Sequence, residues 1–235
     1  MVSSSSFAQA AAASLAFAAT AAGAAITVSS CSTGVKMIVA RGSKEPAGFG
    51  DIQSVVDAVK AQIPNSSADA VDYPALLDTQ VIYAESVIQG TSTMRQMVQN
   101  HVAKCPKSKI ALIGYSQGAQ VVGDVVCGLS SAGFPKSADL GDQYANNVIA
   151  SVMFGDPTRA ANQAWNAGNV TTRDGLFPRV DNAGCAPYGA GMKSWCDADD
   201  RYCDRGSNQA IHHVYFEKYT ADAAAWVVSR FQATA

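Results

Sequence analysis

The sequence predicts an α/β fold in which a parallel sheet is covered on both faces by helices. Two observations lead there. Short β-branched apolar runs alternate along the chain with segments whose apolar residues recur at helical spacing. The clearest of those runs passes directly into a glycine-flanked serine and then a helical pattern, as a strand-turn-helix unit does.

In chain order, Val35-Lys36-Met37-Ile38-Val39 reads as a buried strand and Ile52 to Ile63 as a helix. A weaker strand ends near Tyr73, and Tyr83 to Val102 is helical. Lys109-Ile110-Ala111-Leu112-Ile113 is the clearest strand, followed by a helix from Ala119 to Leu129. Val148 to Phe154 and the shorter Met192 to Cys196 are further strands, and Tyr215 to Phe231 closes the chain as a helix. Ala161 to Tyr188, rich in Asn, Gly and Pro, is expected to be a long surface excursion and not a second domain. In such sheets chemistry gathers at the carboxyl ends of the strands, so a functional residue should follow a strand.

The 235 residues suffice for one domain with a substantial core. Net charge is −2 and only 15% of residues are charged, without a basic stripe or an acidic run. Nucleic-acid and polyanion binding therefore have no electrostatic support. From Phe7 to Ala25 the chain is alanine-rich and uncharged, with Leu15 and Phe17, and small residues at Ala22-Gly23-Ala24 suit cleavage. Residues 1–25 are thus expected to be a secretory signal, although no Lys or Arg precedes the apolar run, and 26–235 a single domain. A membrane span is the competing reading; alanine is weakly lipophilic and no basic cluster follows, which favours cleavage and no stable membrane insertion.

All six cysteines lie beyond that segment, and an even count in an exported chain reads as disulfides. With no Cys-x-x-Cys pair and only three histidines, a metal site is not expected. Two sequons, at Asn65 and Asn169, agree with export.

Gly114-Tyr115-Ser116-Gln117-Gly118 fits the Gly-x-Ser-x-Gly nucleophile elbow. A turn this tight leaves no room for side chains at the glycines and presents the serine at a helix amino end, where developing negative charge is favoured. The pentapeptide alone could be a glycine-rich turn; the strand before it and the helix after it favour the elbow. The base and acid should follow in the order Ser, Asp, His. His101 precedes the serine and lies on a helical segment, which leaves His212 and His213 before the last helix. The acid is best sought in Cys196-Asp197-Ala198-Asp199-Asp200-Arg201-Tyr202-Cys203, where the two cysteines can close a small loop. Composition does not choose between Asp197, Asp199 and Asp200.

These residues resemble the cutinase and acetylxylan esterase family of secreted serine hydrolases. The resemblance runs from Cys31 to the last helix. It rests on Ala40-Arg41-Gly42-Ser43, Tyr73-Pro74-Ala75, Cys105-Pro106, the elbow, Gly155-Asp156-Pro157, the Cys196 to Cys203 loop and His212-His213-Val214-Tyr215. It implies a small α/β-hydrolase with a parallel sheet of about five strands and no lid domain. It further implies Ser116 as nucleophile, Asp200 as acid and His212 as base, with His213 the alternative. Ser43 and the amide of Gln117 become the oxyanion hole, and Cys31–Cys105, Cys127–Cys185 and Cys196–Cys203 the bridges.

The reaction implied is two-step ester hydrolysis through an acyl-enzyme, without metal or organic cofactor, falling in acid as the imidazole is protonated. The expected substrate is a plant cell-wall polysaccharide or polyester. The polar loop Asp204 to Ile211 and the residues Tyr83, Ser86, Val87 and Gln89-Gly90 resemble the acetylxylan esterase branch, although an extra cysteine pair of some members is missing. Leu76, Leu77 and Val81 could instead form a lipophilic flap suited to cutin or lipid esters. A binding protein on the same fold, with a broken triad or filled pocket, and a serine peptidase rank below both. Nothing points to an oligomer, so a monomer is expected.

Overall fold

The computed structural model describes Met1 and residues 31–129, 131 and 133–234; the expected leader, 1–25, lies outside the described residues. The strands are β1 (Val35–Ala40), β2 (Ser67–Ala70), β3 (Lys109–Tyr115), β4 (Val148–Phe154), β5 (Asn166–Ala167) and β6 (Met192–Trp195). The helices are α1 (Gln53–Gln62), α2 (Gln80–Lys104), α3 (Gln117–Cys127) and α4 (Tyr215–Gln232). All strand pairs are parallel, in the order β2-β1-β3-β4-β6-β5.

A parallel sheet covered on both faces needs strands that are apolar throughout, and β4 is buried at every position. Alternate residues of β1 and β3 feed different cores. Val35, Met37 and Val39 of β1 join Val55, Val56 and Val59 of α1 and Tyr215, Ala223 and Val227 of α4 on one face. Ile38 and Ala40 join Met94 and Val98 of α2 and Val121, Val122 and Val125 of α3 on the other. Helix α3 is buried along its entire length, so its apolar residues need no single stripe.

The sheet has six strands where about five were expected; the additional one is the two-residue β5. It falls within the segment Ala161 to Tyr188, which is therefore not a purely surface excursion. That segment supplies the sheet edge, the half-cystine Cys185 and Arg179, whose side chain is buried against Asp124 of α3 at 2.8 Å. Helix α2 begins three residues before its apolar pattern because the Thr79 hydroxyl accepts from the Ile82 amide and caps it. Among the described residues no helix is long and apolar enough to cross a membrane.

Register places the chemistry. Ala40 pairs with Gly114, Tyr115 with Phe154, and Phe154 with Trp195. The carboxyl ends of β1, β3, β4 and β6 are thus level, and the loops that follow them leave along one edge. From β1 the chain runs outward to β2 and then returns to β3 on the other side. The crevice between the ends of β1 and β3 is the switch point where open α/β sheets bind ligands.

Candidate active site

Ser116 sits between β3 and α3 with φ 54° and ψ −117°, a conformation that L-residues rarely adopt. The neighbouring glycines make it possible. A Cβ on Gly114 would lie 2.2 Å from the Gly118 carbonyl oxygen, and one on Gly118 would lie 1.9 Å from that of Ala40. The Ser116 amide is held by the Phe154 carbonyl at 2.9 Å, which fixes the elbow to β4.

His212 lies in the short 3₁₀ turn Ala210–His213 before α4. Its Nε2 lies 2.8 Å from Ser116 Oγ and its Nδ1 lies 2.8 Å from Asp200 Oδ2. The imidazole packs between the rings of Tyr115 and Tyr202, with centroids at 5.1 and 4.4 Å. Gly155 leaves room for it: a Cβ there would meet His212 Cε1 at 2.6 Å. The adjacent His213 is exposed and faces the Tyr115 hydroxyl, away from Ser116 and Asp200.

The three candidate carboxylates occupy different environments. Asp197 is buried and bonded to Lys218 and Tyr219 of α4 at 2.6 and 2.5 Å. Asp199 is exposed and accepts from the Ser207 amide. Asp200 is fully buried. Its Oδ1 accepts from the amides of Tyr202 and Cys203 at 2.7 and 3.1 Å, and its Oδ2 accepts from the Tyr215 hydroxyl at 2.7 Å as well as facing His212. Burial pushes the Asp200 carboxyl up, but the bonds from His212, Tyr215 and the Tyr202 amide outweigh it and leave it below the usual carboxylate range. Burial and the Asp200 charge push the Tyr215 phenol up, so it remains a donor. The His-x-x-Tyr spacing was visible in the sequence; the bond from Tyr215 to Asp200 was not.

Ser43 follows β1, and its hydroxyl is buried without a hydrogen-bond partner. Gln117 opens α3, so its amide has no acceptor within the helix. The loop between them is braced by Arg41, whose guanidinium donates to the carbonyls of Glu45 and Tyr73 at 2.9 and 2.8 Å. The Glu45 carboxylate accepts from the amides of Gly42 and Asp51. Leu76 and Leu77, beyond that loop, are exposed by 42% and 40%, large values for leucine.

The bridges Cys31–Cys105, Cys127–Cys185 and Cys196–Cys203 are all formed. Cys196–Cys203 spans the loop that carries Asp200. Among the described residues no group of His, Cys, Asp or Glu is placed to hold a metal ion.

Comparison with known proteins gives a consistent result. The cutinase family model matches residues 30–231. Acetylxylan esterase 2 of Talaromyces purpureogenus is 34% identical over 198 residues, covering 81% of this chain and 84% of that protein. Cutinase 11 of Verticillium dahliae is 31% identical over 190 residues, covering 78% of this chain and 64% of that protein, so this chain spans just under two thirds of its length. Among solved structures, an acetylxylan esterase at 0.90 Å resolution is similar with a TM-score of 0.79 and 32% identity, covering 86% of this chain and all of that one.

Proposed function

The chain belongs to the cutinase family and is a carboxylic ester hydrolase, and from that premise we propose that it is an exported serine esterase acting on acetylated plant polysaccharide through an acyl-enzyme. The observation that carries the mechanism is the continuous relay from Ser116 Oγ through both ring nitrogens of His212 to Asp200, with 2.8 Å at each step. His212 Nε2 takes the serine proton as Oγ attacks the ester carbonyl. Asp200 holds the Nδ1–H tautomer and offsets the imidazolium charge. The amides of Ser43 and Gln117 receive the oxyanion, each donor being worth about 3 kcal/mol in comparable sites. His212 then protonates the leaving alcohol, and water, deprotonated by the same ring, releases the acyl group.

Polysaccharide deacetylation is supported by the acetylxylan esterase relatives and by the polar loop before His212. A second reading, hydrolysis of cutin or lipid esters, is favoured by the exposed Leu76, Leu77 and Val81. Export is supported by the three bridges and by the exposure of Asn65 and Asn169 in their sequons.

A fluorophosphonate probe tests the mechanism. The folded protein should be labelled on Ser116, and Ser116→Ala should remove both labelling and about 10⁴-fold or more of kcat. Labelling elsewhere, or an active Ser116→Ala, refutes it. Rates on acetylated xylan against long-chain p-nitrophenyl esters decide the substrate; a strong preference for long acyl chains selects the second reading.

A further inference from the structure

Four consecutive carbonyls beside the site are each tied to a residue within two positions of an oxyanion donor. Arg41 Nη2 holds those of Tyr73 and Pro74 at 2.8 and 3.4 Å. The Lys44 amide holds that of Ala75 at 2.8 Å, and Gln117 Nε2 holds that of Leu76 at 2.7 Å. The Leu76 amide is taken as well, by the Ser86 hydroxyl at 3.1 Å, and that hydroxyl donates to Gln117 Oε1 at 2.9 Å. Ser86 and Gln117 therefore grip both backbone groups of Leu76, and both side chains are buried. The segment pays a conformational cost for this arrangement, since Ala75 and Lys44 both hold positive φ, 54° and 64°.

Arg41 stands two residues before Ser43 and Lys44 directly after it, so residues 73–76 form a strut between the Ser43 loop and the first residue of α3. We propose that this strut sets the spacing of the two oxyanion donors, and that Ser86 and the Gln117 carboxamide are its positioning residues. Gln117 then has two separable parts: its amide faces the reacting oxygen, and its side chain fixes where the opposite donor stands. The inference rests on the reading of Ser43 and Gln117 as the oxyanion hole. Oxyanion stabilisation depends on donors already in place when charge develops, so a loosened strut lowers turnover and leaves ground-state binding nearly unchanged.

The test uses Ser86→Ala, Gln117→Leu and the double variant. All three keep every backbone amide. With p-nitrophenyl acetate, each single variant should lose about tenfold in kcat with KM within about twofold of wild type. The rate of fluorophosphonate labelling should fall in parallel, because the phosphoryl oxygen of that probe occupies the same hole. The double variant should lose little more than Gln117→Leu alone, since both substitutions release the same residue. Ser86→Ala is mild enough to fold if Gln117→Leu does not. Unchanged kcat in folded Ser86→Ala, a rise in KM alone, or losses that multiply in the double variant overturns the proposal. Full activity in Ser116→Ala defeats the underlying esterase mechanism instead, whatever Gln117 does.

Discussion

Asp200 and Tyr215 show how one residue's environment sets both chemistry and stability. Each carboxylate oxygen of Asp200 is committed, Oδ1 to two amides and Oδ2 to Tyr215 and His212. Tyr215→Phe removes the charge-assisted bond to Asp200 and also the acceptor of the buried Asp197 amide at 3.1 Å, and the first of these alone should cost about 1.5–3 kcal/mol in stability at neutral pH. Its pH dependence has a definite sign. The folded carboxyl binds its proton less tightly than the unfolded one, so the stabilisation is complete above the ordinary carboxylate pKa of about 3.9. It is lost as pH falls from there toward the lower folded value. The gap in melting temperature between wild type and Tyr215→Phe should therefore be widest near neutrality and narrow in acid, down to what the lost Asp197 amide bond contributes. Calorimetry across that range checks it, and a constant gap would sink the assignment. In the sequence, Asp197, Asp199 and Asp200 are equivalent by composition. The family resemblance singles out Asp200, and the fold supplies the physical reason by turning one toward Lys218, one toward solvent and one under His212.

At the scale of elements, legibility followed burial. Strands β1, β3 and β4 are read from sequence because a sheet covered on both faces demands unbroken apolar runs. The elbow is read because its steric demands are local to five residues. Strand β5 is not: two residues, Asn166 and Ala167, carry no periodicity, and their pairing with β6 is dictated by tertiary contacts. The acid loop lies between these extremes, since its ends are marked by Cys196 and Cys203 while its interior hydrogen bonds are not. Closing a loop of sequence separation 7 should stabilise the fold by roughly 2–3 kcal/mol on chain-entropy grounds. The Tyr202 and Cys203 amides that hold Asp200 belong to this loop, so its effect is not confined to stability. Replacing both cysteines by serine should lower the melting temperature and reduce kcat with little change in KM. A variant that loses stability but keeps wild-type kcat would show that the loop orders itself without the bridge.

Across the whole molecule, the proposed catalytic geometry and the longest disulfide-closed loop lie at opposite ends of the sheet. Ser43, Ser116 and Asp200 follow the carboxyl ends of β1, β3 and β6. Cys31 and Cys105 precede the amino ends of β1 and β3, so their bridge ties together the two strands between which the crevice opens, but from the far side. With a separation of 74 residues, this bridge stabilises the fold by roughly 4 kcal/mol on chain-entropy grounds, more than the bridge of the acid loop. In a domain of this size that corresponds to a fall of roughly 10 °C in melting temperature when both cysteines become serine. The paired registers of β1 with β3 and of β3 with β4 do not depend on the bridge, and they alone keep the strand ends level. The variant should therefore retain wild-type kcat and KM well below its lowered melting temperature, in contrast to loss of the Cys196–Cys203 bridge. Melting curves and kinetics on the two double-serine proteins separate these outcomes. If removing the distant bridge reduced kcat at temperatures where the fold is intact, the sheet would be transmitting strain along its strands, and the independence of the two ends would be refuted.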